Sequence, residues 1–258
     1  MPVLTENSFR ALARSSPWRW RALSFDLHRR PLHGPEHAVR ATVVRPDRVV
    51  VIGADGRLHD TTYPRQTVTR MYLGAGSRPS ATVELPYASE VEVDLDADGL
   101  VAVRPHEPMG GDPMWRDYEF VAMLDPVELA DASPPEDGSW AVGTPRPQAV
   151  LLHRLDTGRR HGRDTWWAEV SARYGYEPRC SCCPLLFGRA STDLEAVERG
   201  ATPGPPPESG VYLDRHLVGL DVATGVCVHV EHLDGDFVGR GFSVDIRGVD
   251  DEVVLPGV

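Results

Sequence analysis

The residues best suited to chemistry form a short cysteine-rich segment. Three of the four cysteines lie within four positions, at Cys180, Cys182 and Cys183. Zinc sites more often use Cys-x-x-Cys pairs, because that spacing lets both thiolates meet one tetrahedral ion. A Cys-x-Cys-Cys run could still bind zinc or Cu(I), which favours soft thiolate ligands. A fourth ligand would have to come from elsewhere in the chain, and the candidates are His153, His161 and Cys227.

Two other interpretations of these thiols stay open. Neighbouring thiols can form a disulfide and act as a redox switch, although a bond between adjacent Cys182 and Cys183 would be strained. The thiols could instead be small buried side chains in a tight loop, since free cysteine behaves as a small hydrophobic residue. The segment therefore predicts a metal site, a thiol switch or a structural loop.

A second polar segment lies on a predicted strand, over residues 227–232. Because side chains alternate along a strand, Cys227, His229 and Glu231 should share one face, and the valines between them the other. The valine face predicts a core. The polar face is either solvated or part of a functional concavity, and the helical His-Glu-x-x-His zinc signature does not occur here.

The six tryptophans indicate a sheet that is apolar on both faces. Adjacent Trp166 and Trp167 on one strand must point in opposite directions. An apolar sheet face needs cover from helices, a partner or a ligand. The other tryptophans are Trp18, Trp20, Trp115 and Trp140.

Motifs of common enzyme classes do not occur in the sequence. The chain contains no lysine, which excludes a Gly-x-x-x-x-Gly-Lys phosphate loop, and it has no Gly-x-Ser-x-Gly nucleophile motif. No pair of carboxylates stands out by its spacing. We therefore nominate no catalytic residue and expect a binding protein rather than an enzyme.

Alternating apolar residues predict a mainly β protein. About ten short segments of period two are separated by turn signals, so neighbouring strands should pair antiparallel. The clearest hairpin is predicted for 91–103, with its turn at Asp98-Gly99. Short helices are predicted over 4–14, which Pro17 should end, and over 117–130. Trp18 and Trp20 alternate with arginines and should begin the first strand.

Composition sets the remaining expectations. The chain of 258 residues carries a net charge of −11, which disfavours nucleic-acid partners. No stretch approaches the roughly 18 apolar residues of a membrane span, and the N-terminus lacks a secretory signal pattern, so we expect a cytoplasmic protein. Residues 1–258 should form a single domain with Pro/Gly-rich loops near 104–115, 131–138 and 201–210.

Several short segments follow the N-terminal helix in a recognisable order. They are Trp18–Leu27, Arg45–Val49, Asp55–Arg57, Val211–Asp214, Gly219–Val226 and Val249–Glu252. This order resembles the lipoprotein-carrier family, which is typified by the periplasmic chaperone of outer-membrane lipoproteins. The resemblance implies a curved, incomplete antiparallel barrel covered by helices, with an apolar cavity for acyl chains. The cysteine segment is no part of that family's pattern.

These observations predict an α+β protein, mainly β, whose curved antiparallel sheet forms an incomplete barrel with short helices over its concave face. We expect it to bind an apolar small molecule or a protein segment there, without a cofactor unless zinc occupies Cys180, Cys182 and Cys183. The predicted lining residues are Trp18, Trp20, Phe25, Trp166 and Val228. The alternatives are a metal- or redox-responsive regulator built on the three cysteines, and a module that pairs with proteins through its sheet edges.

Overall fold

A computed structural model of the protein describes residues 2–31, 35–70, 81–105, 108–132, 146–202 and 204–256. Three α-helices lie within these ranges: α1 (Glu6–Arg19), α2 (Tyr118–Leu124) and α3 (Arg189–Glu198). The eleven strands of the same ranges are β1 (Ala22–Arg30), β2 (His37–Val44), β3 (Arg48–Ile52), β4 (Leu58–Thr62), β5 (Thr67–Arg70), β6 (Ala81–Glu84), β7 (Val150–Arg160), β8 (Arg163–Ala172), β9 (His216–Asp221), β10 (Cys227–His232) and β11 (Gly241–Val249).

Nine of the strands form one antiparallel sheet, in the order β4-β3-β2-β1-β11-β10-β9-β8-β7, and β5 pairs with β6 separately. The large sheet consists of two meanders, β1–β4 and β7–β11. They are joined where β1 pairs with β11, with Leu27 opposite Val244. The sheet ends at β4 and β7 and does not close into a barrel. This confirms the predicted mainly β fold with a large open antiparallel sheet.

The core lies between one face of this sheet and the first two helices. Phe9 of α1, Phe120 of α2 and Phe25 of β1 are all fully buried in one apolar cluster. The rings of Phe25 and Phe120 have their centroids 5.9 Å apart. Since burial of one such side chain contributes about 1.5–3 kcal/mol, this layer fixes the helices on the sheet.

Helix α1 begins as predicted and ends later. Thr5 caps it, because its Oγ1 accepts a hydrogen bond of 3.1 Å from the backbone nitrogen of Ser8. Pro17 was predicted to end the helix, and this prediction is wrong. Pro17 lies buried in the last turn of the helix, where a proline removes one backbone hydrogen bond. The helix therefore includes Trp18, and the predicted strand start at Trp18 and Trp20 is wrong.

The hairpin predicted for 91–103 is reduced to a single bridge between Leu95 and Val101. The Asp96 carboxylate accepts hydrogen bonds of 2.9 Å from the backbone nitrogens of Asp98 and Leu100, which closes a tight turn. Beyond the turn, Leu100 and Val101 are both buried, so the chain no longer alternates between two faces.

Helix α3 has no counterpart among the predicted elements. Its buried residues are Ala190 and Ser191, so it lacks the apolar stripe by which a helix is recognised in a sequence. The predicted Pro/Gly-rich loops contain no helix or strand where the structure describes them, although 133–138 lies outside the described residues.

Candidate functional site

The three clustered cysteines lie in a loop between β8 and α3, which a buried carboxylate holds in place. Glu128 is 2% exposed and accepts a hydrogen bond of 2.7 Å from the Tyr176 hydroxyl. It also accepts hydrogen bonds from the backbone nitrogens of Arg179, at 3.0 Å, and Leu185, at 3.3 Å. Because a buried donor without an acceptor is costly, these contacts hold the loop on both sides of the cysteines.

The three thiols converge on one point. The Sγ atoms of Cys180 and Cys182 lie 3.0 Å apart, those of Cys182 and Cys183 lie 3.8 Å apart, and all three lie within 4.8 Å of one another. Two thiolates on one zinc ion lie about 3.8 Å apart, since each Zn–S bond is about 2.3 Å long. All three cysteines are free, and Cys182 is exposed. The cluster could therefore hold a metal ion with little rearrangement.

Hydrogen bonds within the cluster make the thiols unequal. Burial opposes ionisation of Cys180, but hydrogen bonds from Cys182 and Cys183 outweigh it and lower the pKa of the Cys180 thiol. The hydrogen bond to Cys180 raises the pKa of Cys182. Burial, together with the hydrogen bond to Cys180, raises the pKa of Cys183 to about 12. Of the three thiols, Cys180 is therefore the one whose ionisation these hydrogen bonds favour.

Positive charge borders Cys183. The Cys183 sulfur interacts electrostatically with the guanidinium groups of Arg29 and Arg240. Arg29 also donates hydrogen bonds of 2.5 and 2.8 Å to Asp117, the N-cap of α2, and lies 3.3 Å from Glu119. Negative charge that develops on Cys183 would thus be within electrostatic range of Arg29, whose guanidinium group is held by Asp117.

None of the three predicted fourth ligands joins the cluster. Cys227 is buried in the core, and its Sγ donates to the carbonyl oxygen of His229 at 3.4 Å. His153 hydrogen-bonds to the Ser171 hydroxyl at 2.9 Å, and His161 lies 3.7 Å from a carboxylate of β11. Among the described residues this group of potential ligands consists of the three cysteines alone. A zinc ion bound there would keep one position for water or an external ligand.

The predicted lining residues do not share one cavity. Phe25, 0% exposed, and Trp166, 2% exposed, are packed inside the core between the sheet and the helices. Val228 is buried and borders a cavity of about 10 Å³. Trp18 and Trp20 lie together at the wall of a cavity of about 590 Å³ beside the end of α1. Of the five residues, these two border a space that could admit a ligand.

Aromatic rings and paired charges line this larger cavity. The Arg45 guanidinium lies 3.3 Å above the ring of Trp20 and 2.6 Å from the Asp112 carboxylate. On another wall, Arg104 lies 2.6 Å from Asp125. The volume falls within the range of about 300–1,000 Å³ that is usual for small-molecule sites.

One buried carboxylate connects the cavity to the cysteine loop. Asp125 pairs with Arg104 on the cavity wall and with Arg179 directly before Cys180. Burial opposes the ionisation of Asp125, but the two guanidinium groups outweigh it and lower its pKa to about 2. The two candidate sites therefore share Asp125 as a structural element.

A bulge in β10 corrects the face predicted for residue 227. Cys227 lies opposite Leu220 and His229 lies opposite Gly219, although Gly219 and Leu220 are adjacent on β9. Residues opposite each other in an antiparallel pair share a face, so Cys227 and His229 point to opposite faces. The predicted common face of Cys227, His229 and Glu231 is therefore wrong.

Trp166 and Trp167 point to opposite faces, as predicted. Trp167 contacts its own sheet: a Cβ added to Gly158 or Gly219 would lie 3.0 Å from the indole. Its ring also meets that of His229 edge-on, with centroids 5.3 Å apart. The indole therefore packs directly against the backbone of these two glycines, on the face of the sheet opposite Trp166. Trp140 lies outside the described residues.

The sequence prediction missed a second polar cluster, at Asp214, His232 and Asp234. One ligand atom from each lies within 4.8 Å of the others, so this group too could hold a metal. A signal was present in the sequence, where Asp-x-His at 214–216 is mirrored by His-x-Asp at 232–234.

Comparisons with known proteins do not assign the chain to a family. No protein-family model matches the sequence, and no curated protein is significantly similar to it. The resemblance to the lipoprotein-carrier family therefore stays a prediction. In the part of the chain that the structure describes, no helix is both long and apolar enough to cross a membrane.

Proposed function

We propose that the protein is a non-enzymatic binding protein that holds a thiophilic metal ion, Zn²⁺ or Cu(I), on Cys180, Cys182 and Cys183. The observation that carries the proposal is the convergence of three Sγ atoms within 4.8 Å of one another. Packing of cysteines in a tight loop does not by itself require their sulfur atoms to converge on one point. The buried carboxylate of Glu128 supports the proposal, because it holds the loop in this shape without a metal.

The thiol chemistry makes the binding dependent on pH. Metals bind thiolates, so each coordinated cysteine must lose its proton. Cys180 has a lowered pKa, whereas Cys182 and Cys183 have raised pKa values and must be deprotonated by the ion itself. Metal affinity should therefore rise with pH.

The proposed metal site lies near two helices. The Cys183 sulfur is within electrostatic range of Arg29, which hydrogen-bonds to the N-cap of α2. Ser181 donates a hydrogen bond of 2.5 Å to Glu198 at the end of α3. Because Glu128 already holds the loop without a metal, the change that a metal-responsive regulator would present to a partner is the bound ion itself, with its charge and its open coordination position. A cytoplasmic location, as predicted, would keep the thiols reduced.

Titration of the reduced protein with Co²⁺ tests the metal proposal, because thiolate-bound cobalt gives a sulfur-to-metal charge-transfer band. We expect the band to saturate at one equivalent, to disappear on addition of Zn²⁺, and to persist in Cys227→Ser. A variant that combines Cys180→Ser, Cys182→Ser and Cys183→Ser should lack it. A band that survives in this variant, or no band in the wild-type protein, would contradict the proposal.

Mild peroxide treatment separates the metal role from a thiol switch. Formation of a disulfide would lower the intact mass by two hydrogens, and Cys180→Ser should block it. If this loss occurs and the reduced protein binds no metal, the thiols act as a redox switch and not as a metal site. If the protein shows neither metal binding nor this oxidation, the cysteine loop has only a structural role.

A second candidate function is the binding of a small organic molecule beside Trp18 and Trp20. The observation that favours it is the cavity of about 590 Å³, with its aromatic walls and fixed guanidinium groups. Phe25 and Trp166 fill the space between sheet and helices, so the ligand would lie at the end of α1. An apolar or aromatic molecule with one polar group fits this lining.

Displacement of an environment-sensitive apolar dye tests the second candidate. We expect saturable binding to the wild-type protein, displacement by a fatty acid, and strong weakening in Trp18→Ala. Trp115→Ala is the matched control, because that indole stacks on His59, with ring centroids 4.9 Å apart, and does not line the cavity. Equal binding by both variants would show that the dye binds elsewhere.

A further inference from the structure

We propose that Asp214, His232 and Asp234 form a second metal site, which takes a first-row divalent cation such as Zn²⁺ or Mn²⁺. The site lies where β9 begins and β10 ends. His216 and His232 are directly opposite each other in this strand pair, so the residues just before β9 and just after β10 meet at one end of the sheet. Antiparallel pairing thus brings Asp214 and Asp234 to the same imidazole.

His232 is buried without the contacts that a buried histidine normally makes. It is 1% exposed, and neither of its ring nitrogens has a hydrogen-bond partner among the described residues. The neighbouring His216 has one such contact, since its Nε2 hydrogen-bonds to the carbonyl oxygen of Phe187 at 2.7 Å, and only its Nδ1 lacks a partner among the described residues. Buried polar groups are nearly always satisfied. The absence of any contact at His232 therefore points to a ligand, which would bind one of its two nitrogens.

One donor atom from each of the three residues lies within 4.8 Å of the others, so a single ion could reach all three residues through one nitrogen of His232. Its Nε2 lies 3.8 Å from Oδ1 of Asp214, and its Nδ1 lies 4.0 Å from Oδ1 of Asp234. Both distances are too long for a hydrogen bond. Two nitrogen or oxygen donors at tetrahedral angles on one zinc ion lie about 3.3–3.6 Å apart, because each bond is about 2.0–2.2 Å long, so small side-chain shifts would bring the donors onto one ion.

Backbone hydrogen bonds hold both carboxylates in position. Oδ2 of Asp214 accepts from the backbone nitrogen of Arg189, the first residue of α3, at 2.7 Å, which leaves Oδ1 for an ion. Asp234 accepts from the backbone nitrogen of Arg215 at 3.0 Å. Such outer contacts orient the ligands of known metal sites. The carboxylates are therefore oriented by the fold itself.

The donor set selects the class of ion. An imidazole favours transition metals over Mg²⁺ and Ca²⁺, and two carboxylates without sulfur disfavour Cu(I). The side chains of Asp214 and Asp234 are 22% and 45% exposed, so water can reach the remaining coordination positions. Zn²⁺ and Mn²⁺ meet these requirements, and the site differs in chemistry from the cysteine cluster.

Mn²⁺ is the probe for this site, because soft thiolates do not compete for it. Electron paramagnetic resonance of free Mn²⁺ should show one saturable site in the wild-type protein and in the variant without the three clustered cysteines. Asp214→Asn and Asp234→Asn should each weaken binding by about tenfold or more. Asp236→Asn, exposed in the same turn, is the matched control and should bind like the wild type.

The thermal unfolding midpoint provides a second readout. Each protein is compared with and without Mn²⁺, so a variant may be less stable than the wild type and still be tested. Mn²⁺ should raise the midpoint of the wild-type protein and of Asp236→Asn, but not that of Asp214→Asn. Absence of saturable Mn²⁺ binding in the wild-type protein would overturn the proposal. So would natively folded Asp214→Asn and Asp234→Asn proteins that bind Mn²⁺ as the wild type does. Since the cysteines take no part, failure of the cysteine proposal would leave these outcomes unchanged.

Discussion

The hydroxyl of Tyr176 donates a hydrogen bond of 2.7 Å to the carboxylate of Glu128, and both groups are buried. Burial raises the pKa of each of them. The same carboxylate accepts from the backbone on both sides of the three cysteines, at Arg179 and Leu185. This pair therefore connects the cysteine loop to the turn that follows α2.

Glu128→Gln should destabilise the protein and loosen the loop. An amide offers one acceptor oxygen instead of two, so at least one of the three donors loses its partner. A buried donor left unsatisfied costs about 1–3 kcal/mol. We expect a lower free energy of unfolding in urea, together with faster alkylation of Cys183. Exposed Glu208→Gln is the control, and equal stability of the two variants would show that Glu128 does not anchor the loop.

The four cysteines should react with iodoacetamide in a fixed order. Cys180 should react first near neutral pH, because its lowered pKa gives it the largest thiolate fraction. Cys183 and Cys227 should react last, since burial raises both pKa values to about 12. Peptide mass spectrometry after brief alkylation measures the order.

Removal of the hydrogen-bond donors should slow the reaction of Cys180. In a variant that combines Cys182→Ala and Cys183→Ala, the loss of both thiol donors should raise the pKa of Cys180 and reduce its thiolate fraction at neutral pH. Cys227→Ser, which changes a thiol outside the cluster, should leave the rate unchanged. A faster reaction in the double variant would mean that access, rather than pKa, controls the reactivity.

Asp125 should make stability depend on acid pH. Its pKa is about 2 in the folded protein and 3.8 when unperturbed. The ionised Asp125 carboxylate therefore contributes fully to stability at pH values above 3.8, and this contribution is lost as the pH falls toward about 2. It amounts to about 2 kcal/mol. Asp125→Asn should be less stable at neutral pH and should show a flatter decline in this range, as measured by urea unfolding.

Exposed Asp156→Asn is the control for this acid effect. It should reproduce the wild-type decline, because its carboxylate makes no buried ion pair. If Asp125→Asn and the wild-type protein lose stability in parallel, other carboxylates dominate the acid transition.

Gly219→Ala should destabilise the sheet through Trp167. The added methyl group would lie 3.0 Å from the indole, which must then shift away from His229. Such overpacking costs about 1–3 kcal/mol. The same substitution in a Trp167→Leu background should cost less, because the obstructing ring is gone. Equal costs in the two backgrounds, measured by urea unfolding, would show that the indole does not rest on Gly219.

The local pattern of the sequence was sufficient for most strands. Buried and less buried side chains alternate over residues 22–27 of β1, so the period of two of this strand survives in the tertiary structure. It failed at 91–103, where Asp96 closes a turn and both following residues are buried. It also failed at Pro17, which lies buried inside α1 although proline cannot donate a backbone hydrogen bond to the residue four positions earlier.

The sequence by itself determined that this protein is mainly β and that three thiols lie close together, because both follow from neighbours along the chain. Only the tertiary structure decided that the thiols converge, since Glu128 acts on them from a distant part of the sequence. It likewise decided that Phe25 and Trp166 fill the core, and that Asp214 meets His232 across a strand pair. Such contacts depend on which strands pair, whereas the side-chain period of one strand shows only which of its residues share a face.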